Sequence, residues 1–242
     1  KAADLAACGF IEEREENGRV VSSTPFSAGS VRCESHGEFL EALPGLMEKQ
    51  LMYVNWNKMY RMDIIRREKT AFTEEYASCE DRLFNLAYFP FVEKFTLLEE
   101  PLFHYYVREG SLNGKFLPSR YQSLECFDRV LADLYREGGR LTPQVQAANA
   151  RIFLKGVVAC IMSLRHDSCR LTRGEKRAFL QDILQSESLK NARGNLAGGI
   201  HFKLISAVLG TKPTGLSSLL GWAADTAGRL LPGLLRKLKH RS

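Results

Sequence analysis

Val54-Asn55-Trp56-Asn57-Lys58-Met59-Tyr60, Ser78-Cys79-Glu80-Asp81-Arg82-Leu83-Phe84-Asn85 and Glu100-Pro101-Leu102-Phe103-His104-Tyr105-Tyr106-Val107-Arg108-Glu109-Gly110-Ser111 are three blocks of one stretch, and reading them decides the fold. The middle block opens a helix predicted from Glu80 to Phe89. Ser78 at the N-cap and Asp81 three residues on have the form of a capping box, with Asp in place of the usual Glu. At 100° per residue, Glu80 projects onto the apolar stripe of Leu83, Phe84 and Ala87, and Asp81 lies at its edge beside Tyr88. The bland role of such an Asp is to complement the free amides and dipole of the helix start. Two adjacent carboxylates on a core-facing edge are costly, however, unless both are hydrogen-bonded or at work. Burial and mutual repulsion raise a carboxylate pKa and a helix N-terminus lowers it, so an acid held between them can stay ionised and still accept a proton.

Working outward, Ala3 to Phe10 reads as a buried strand. Asn17-Gly18 marks a hairpin with Val20-Val21 as the return strand. Residues 22–34 read as an exposed loop, and Ser35 or His36 opens a helix through Met47 with a kink at Pro44. Lys58 to Arg67 reads as a short helix with Tyr60 and Ile64 at i,i+4. Lys94 to Leu98 is β-rich, and Pro101 to Val107 is a further strand. From about Leu117 the texture changes to helical spacing: Tyr121 to Arg136, Pro143 to Leu164, Arg173 to Leu184 and Ile200 to Leu209. The expected organisation is therefore an α/β unit over 1–116 and an all-α domain over 117–242.

Composition sets outer bounds. The 242 residues are 45% hydrophobic and 26% charged, ordinary globular values. No uninterrupted apolar run of about eighteen residues marks a membrane span, and no signal peptide opens the chain. The six cysteines, without a C-x-x-C pair, indicate free thiols in a reducing compartment, hence a cytoplasmic setting. Of the net charge of +6, five positive charges fall within the last fourteen residues, on Arg229, Arg236, Lys237, Lys239 and Arg241. This clustering, without interleaved aromatics, argues against a nucleic-acid groove.

Asn55 to Tyr60, Phe72, Glu80-Asp81-x-x-Phe84-Asn85 and Pro101-Leu102-x-x-Tyr105-x-x-Arg108-x-x-Ser111 together resemble the second half of a family 2 glycosyltransferase. Such bacterial enzymes have the GT-A fold and build capsules, exopolysaccharides and other surface glycans. The likeness covers roughly residues 1–117 and implies a partial GT-A fold, with a mixed sheet and short helices. It implies that Asp81 is the catalytic base, deprotonating an acceptor hydroxyl for in-line attack with inversion, and that Glu80 orients acceptor or base. Trp56 would offer a flat face to a sugar ring, with Asn57 and Lys58 shaping the same pocket. Arg108 and Ser111 would lie near the donor diphosphate, with His104 close to the metal or phosphate. Each has a plainer reading: Trp56 as a core anchor, Arg108 as a surface ion pair, His104 as a packed ring.

The family also uses a nucleotide-sugar donor, a glycan or lipid-linked acceptor, and Mn²⁺ or Mg²⁺ held by a D-x-D motif. No Asp-x-Asp occurs in the sequence. The expectation is a chain that lacks the N-terminal nucleotide-binding half and the metal ligands, and is inactive alone. The alternative is a non-catalytic helical interaction or scaffold module derived from such an enzyme. Convergence of Asp81, Trp56 and Arg108 on one cleft would distinguish the two.

Residues 214–242 combine a leucine stripe (Leu216, Leu219, Leu230, Leu234), Trp222 and the basic cluster. They can pack as a terminal helix or lie on an anionic membrane surface at the inner face of the cell membrane, where each basic residue contributes about 1 kcal/mol. Flotation with anionic liposomes is expected to show binding that a chain without residues 214–242 loses; equal binding by both removes the membrane role.

Overall fold

In the computed structural model, residues 2–75, 78–108, 115–197 and 200–210 are described. Ser111 and the segment 214–242 lie outside them. The chain is mixed α/β, with a five-stranded mixed sheet and a layer of helices.

Strand β1 (Leu5–Glu16) is the sheet's axis. On one side it pairs in parallel with β5 (Phe95–Arg108), which pairs antiparallel with the short β3 (Val31–Cys33). On its other side its first residues pair with β4 (Lys58–Tyr60) and its second half with β2 (Arg19–Phe26), both antiparallel. The β1–β2 turn is at Asn17-Gly18, both with positive φ, 51° and 73°, as a tight hairpin of this twist requires.

Three expectations change. Residues 22–26 and 31–33, read as loop, are strand: β2 continues through the first as an edge strand, where Pro25 forfeits no ladder bond toward a second neighbour, and the second form β3. Lys58 to Tyr60 is strand, because it pairs with Leu5 to Ala7; the helix α2 (Met62–Glu68) starts only afterwards. The two β segments near residue 100 are one strand, β5, whose register with β1 slips around Gly9. The helix α1 (His36–Glu48) forms as expected, with Ser35 Oγ accepting from the Glu38 amide at 3.3 Å, and it runs through Pro44.

Leu5, Ala7, Phe95 and Leu97 line one sheet face at matched register positions. Against them α1 places Phe39, Leu40 and Leu43, all fully buried. Phe39 meets Phe89 and Phe95 at 5.3 Å between ring centroids. Burying such a ring contributes about 2 kcal/mol.

Helix α3 (Glu80–Tyr88) ends in a single 3₁₀ turn, Phe89–Phe91. Then follow α4 (Arg120–Glu137), α5 (Pro143–Ser163), α6 (Arg173–Gln185), α7 (Glu187–Gly194) and α8 (Ile200–Gly210). Side-chain caps start α5 at Thr142, α6 at Thr172 with Glu175, and α7 at Ser186. The sequence reading missed α7, a short polar helix with little apolar periodicity.

The core does not stop at residue 117. Phe127, Leu131, Leu134 and Tyr135 of α4, with Val145 and Ile152 of α5, join the core beneath the sheet, while the rest of α5 packs with α7 and α8. Among the described residues α5 alone is long and apolar enough to cross a membrane, and much of it is buried: Ala147, Phe153, Leu154 and Val157 lie inside. All six cysteines are free thiols.

Gly9 is the tightest backbone crossing. A Cβ there would stand 2.7 Å from the Phe26 carbonyl oxygen and 3.2 Å from both the Glu99 carbonyl oxygen and Pro101 Cα, all backbone atoms of flanking strands. Gly9→Ala is therefore expected to lower the unfolding free energy by about 3 kcal/mol, measured by urea denaturation; an unchanged midpoint would show that the three strands can separate at no cost.

Candidate functional site

Helix α3 is entered through Cys79, a non-glycine residue in the left-handed region with φ 68° and ψ 10°, and no side chain caps it. The expected Ser78–Asp81 box does not form. The left-handed entry turns Ser78 toward α4, where its hydroxyl donates to Ser123 Oγ at 3.2 Å. Asp81 instead accepts a hydrogen bond from Asn55 Nδ2 at 3.1 Å on Oδ1. The Asn55 backbone amide acts on the same carboxylate.

The inward stripe is also shifted by one residue from the expected one. Phe84, Asn85 and Tyr88 are buried, Ala87 is exposed, and Asp81 lies half-buried one turn before Asn85. Glu80 points to solvent. The acidic pair is thus divided: one carboxylate solvated, the other partly withdrawn from water. Burial, and then the charge of Glu80, hold the Asp81 carboxyl above its ordinary range; the hydrogen bond from the Asn55 backbone amide and the charges of Lys58 and Arg82 act against them.

Asn55 is itself positioned by buried polar groups. Asn85, fully buried, donates from Nδ2 to Asn55 Oδ1 at 2.7 Å and to the Asp81 carbonyl at 2.8 Å. The Tyr60 hydroxyl lies 2.9 Å from Asn55 Oδ1 and 2.7 Å from Asn85 Oδ1, its one proton shared between two amide oxygens. Burial and the Asp81 charge push the Tyr60 hydroxyl strongly up, so it stays a neutral donor. Arg82, the residue after Asp81, covers the Tyr53 ring at 4.2 Å and holds α3 against α4.

Asn57 and Lys58 are interior. Asn57 Nδ2 donates to the Cys8 and Leu51 carbonyls at 2.9 and 3.1 Å. Lys58 Nζ donates to the Leu51 carbonyl, the Val54 carbonyl and Asn57 Oδ1 at 2.8, 2.5 and 2.8 Å. Burial pushes Lys58 down to about 7, with Asp81 opposing, while the three oxygens suit the ammonium form. These two residues shape the loop before β4 and contact no open surface through their polar atoms.

Trp56, half-buried, lies flat against Phe103 and Tyr105 at 4.4 and 5.2 Å, with interplanar angles of 22° and 7°, and edge-on to Phe10 at 4.9 Å. It follows Asn55 directly, so the same loop carries the indole and the Asp81 ligand. Alternation along β5 then sends the even residues to the other face. There His104 Nδ1 lies 3.0 Å from Glu13 Oε1, and Arg108 Nε donates to Glu15 Oε2 at 3.0 Å. Asp81 and Trp56 are brought to one loop, whereas Arg108 and His104 are not brought to them. Phe72, exposed, stacks on Phe84 at 4.6 Å.

No group of three or more His, Cys, Asp or Glu side chains able to hold a metal ion occurs among the described residues. The surroundings of Asp81, an amide and two cations, do not fit a divalent ion either, and no chemistry is routed through one. What Asp81 can do is accept a proton on Oδ2 from a hydroxyl brought against it.

No family model matches the chain. It is similar to EpsH of Bacillus subtilis (strain 168), whose glycosyltransferase name is itself provisional: 21% identity over 178 residues, 73% of this chain and 48% of that protein. It is also similar to EpsJ of the same organism, an uncharacterized glycosyltransferase, with 28% identity over 109 residues, 45% of this chain and 31% of that protein. The chain is thus a distant relative of glycosyltransferases, and it spans half or less of the length of these relatives.

Asn55, Tyr60 and Asn85 belong to the blocks that carry the resemblance but were assigned no role at the site. The available signal was Asn85 itself, an amide one turn after Asp81 on the stripe with Phe84 and Tyr88. Asn85→Ala strips partners from the Tyr60 hydroxyl and Asn55 Oδ1, and is expected to destabilise the fold by about 3 kcal/mol in urea titrations. Wild-type stability in that variant would mean that the buried amides do not hold the loop.

Proposed function

We propose that this chain carries the acceptor side and general base of an inverting family 2 glycosyltransferase of GT-A fold. The substrates would be a nucleotide-sugar donor and a glycan or lipid-linked acceptor in surface polysaccharide synthesis. The observation that carries the proposal is Asp81: it stands at a helix start yet caps nothing, and its carboxylate is held by Asn55 while staying partly open to solvent. The distant relationship to EpsH and EpsJ supports the same class.

In the reaction the acceptor hydroxyl gives its proton to Asp81 Oδ2 as its oxygen attacks the anomeric carbon. The bond from that carbon to the nucleoside diphosphate breaks, the diphosphate leaves with the electron pair, and the configuration inverts. A raised pKa suits the base, because a carboxylate of higher proton affinity accepts a proton more readily. The exposed part of Trp56 offers an apolar surface to a sugar ring. Glu80, solvated beside the base, is placed to meet acceptor hydroxyls. The chain would work at the cytoplasmic face of the membrane, where lipid-linked acceptors lie.

Asp81→Asn, introduced in the gene at its own locus, is expected to cut formation of the product glycan at least about a hundredfold, read by mass spectrometry of cell-envelope extracts. Because the folded-state pKa of Asp81 is raised, its contribution to stability is fully present below the unfolded pKa and is lost as pH rises through the folded value. The purified Asn variant should therefore melt at or above the wild-type temperature at pH 7. Normal glycan levels in a well-folded Asn variant would rule out Asp81 as the base.

A further inference from the structure

A cleft of about 360 Å³ lies between α4, α5 and α7, within the range of small-molecule sites. Its wall on α4 carries Glu125 and Asp128, one turn apart, on the side of that helix away from Ser123 and Phe127, which face α3 and Tyr53. The cleft is therefore separate from Asp81 and its loop.

Its charges are not matched from within. Among the cleft's cations, Arg136 is paired with Asp133, and Arg129 is directed to Cys126, with Nη2 3.8 Å from Sγ. Asp128 has no hydrogen-bond or ion-pair partner among the described residues, while Glu125 accepts a hydrogen bond from the Tyr121 hydroxyl. Burial, then the neighbouring Glu125, pushes the Asp128 carboxyl up to about 6.

A second observation points the same way. Asn149 of α5 lines the cleft and is only 6% exposed; its side-chain Oδ1 is buried without a partner among the described residues. A buried amide left unpaired costs about 1–3 kcal/mol, so such a side chain normally has a partner. Two carboxylates and an amide thus border one cleft with acceptor capacity to spare: Asp128 and the Asn149 oxygen have no partner among the described residues, and Glu125 keeps lone pairs beyond the one Tyr121 takes.

We propose that this cleft binds a small ligand through a primary ammonium group, which donates to Asp128, Glu125 and Asn149. Three N–H donors on one compact cation match three acceptor groups, and the positive charge relieves the repulsion between the two acids. Amino sugars and polyamines both present this group. A neutral polyol would leave the repulsion in place.

The test is isothermal titration of the whole 242-residue chain with glucosamine, with spermidine, and with glucose as the uncharged control. Glucosamine or spermidine should bind, identifying the source, and glucose should not. Asp128→Asn and Glu125→Gln should each weaken that binding at least about tenfold. Either variant suffices for the comparison if the other fails to fold. No binding of either amine, equal binding of glucose, or undiminished affinity in the folded variants would overturn the assignment.

Discussion

The site depends on a fully buried amide. Asn85 has no access to water, so each of its polar atoms must find a partner inside the protein or cost the fold several tenths of its stability. It finds them in Asn55, in the Asp81 carbonyl and in the Tyr60 hydroxyl. Meeting that demand fixes the irregular loop before β4 against helix α3. Asn55 is then left with one amide hydrogen pointing at the Asp81 carboxylate. Lys58 and Asn57 close the loop from beneath by binding the carbonyls of Leu51, Val54 and Cys8. The position of the Asp81 carboxylate follows from the satisfaction of buried groups behind it.

The alternation of β5 imposes a second constraint. Phe103 and Tyr105 present rings on one face and support the indole of Trp56, so His104, Tyr106 and Arg108 must turn to the other. A single strand cannot place Trp56's support and the Arg108 guanidinium on the same side without a further bulge. The aromatic face belongs with Asp81, and the ionic face is neutralised internally by Glu13 and Glu15. Arg108, held by Glu15 on that ionic face, gives no support to diphosphate binding beside Asp81.

Much of the fold was legible. The Asn17-Gly18 hairpin, helix α3 and the long helices α4 and α5 were marked by turn chemistry and apolar periodicity. The errors came where pairing overrode local pattern: Lys58 to Tyr60 becomes strand only because β1 needs a neighbour, and the polar Ser22 to Pro25 because an edge strand tolerates it. For the site, Asp81 and Trp56 were singled out from their blocks, but the wheel was one residue out of phase, which put Glu80 inside and overlooked Asn85. The left-handed entry at Cys79, which no propensity indicates, caused the misread cap. The shared core across residue 117 depends on which face α4 buries, and this is a matter of tertiary packing.

The central claim is that Asp81 is a carboxylate partly withdrawn from water and restrained chiefly by Asn55. The measurement that tests it most directly is the ¹³C NMR titration of the Asp81 side-chain carboxyl, in the wild type and in Asn55→Ala. The expected midpoint lies above the ordinary aspartate value of about 3.9, and loss of the Asn55 Nδ2 donor raises it further although the backbone amide remains. A wild-type midpoint at or below about 3.9, unmoved by Asn55→Ala, would contradict the claim.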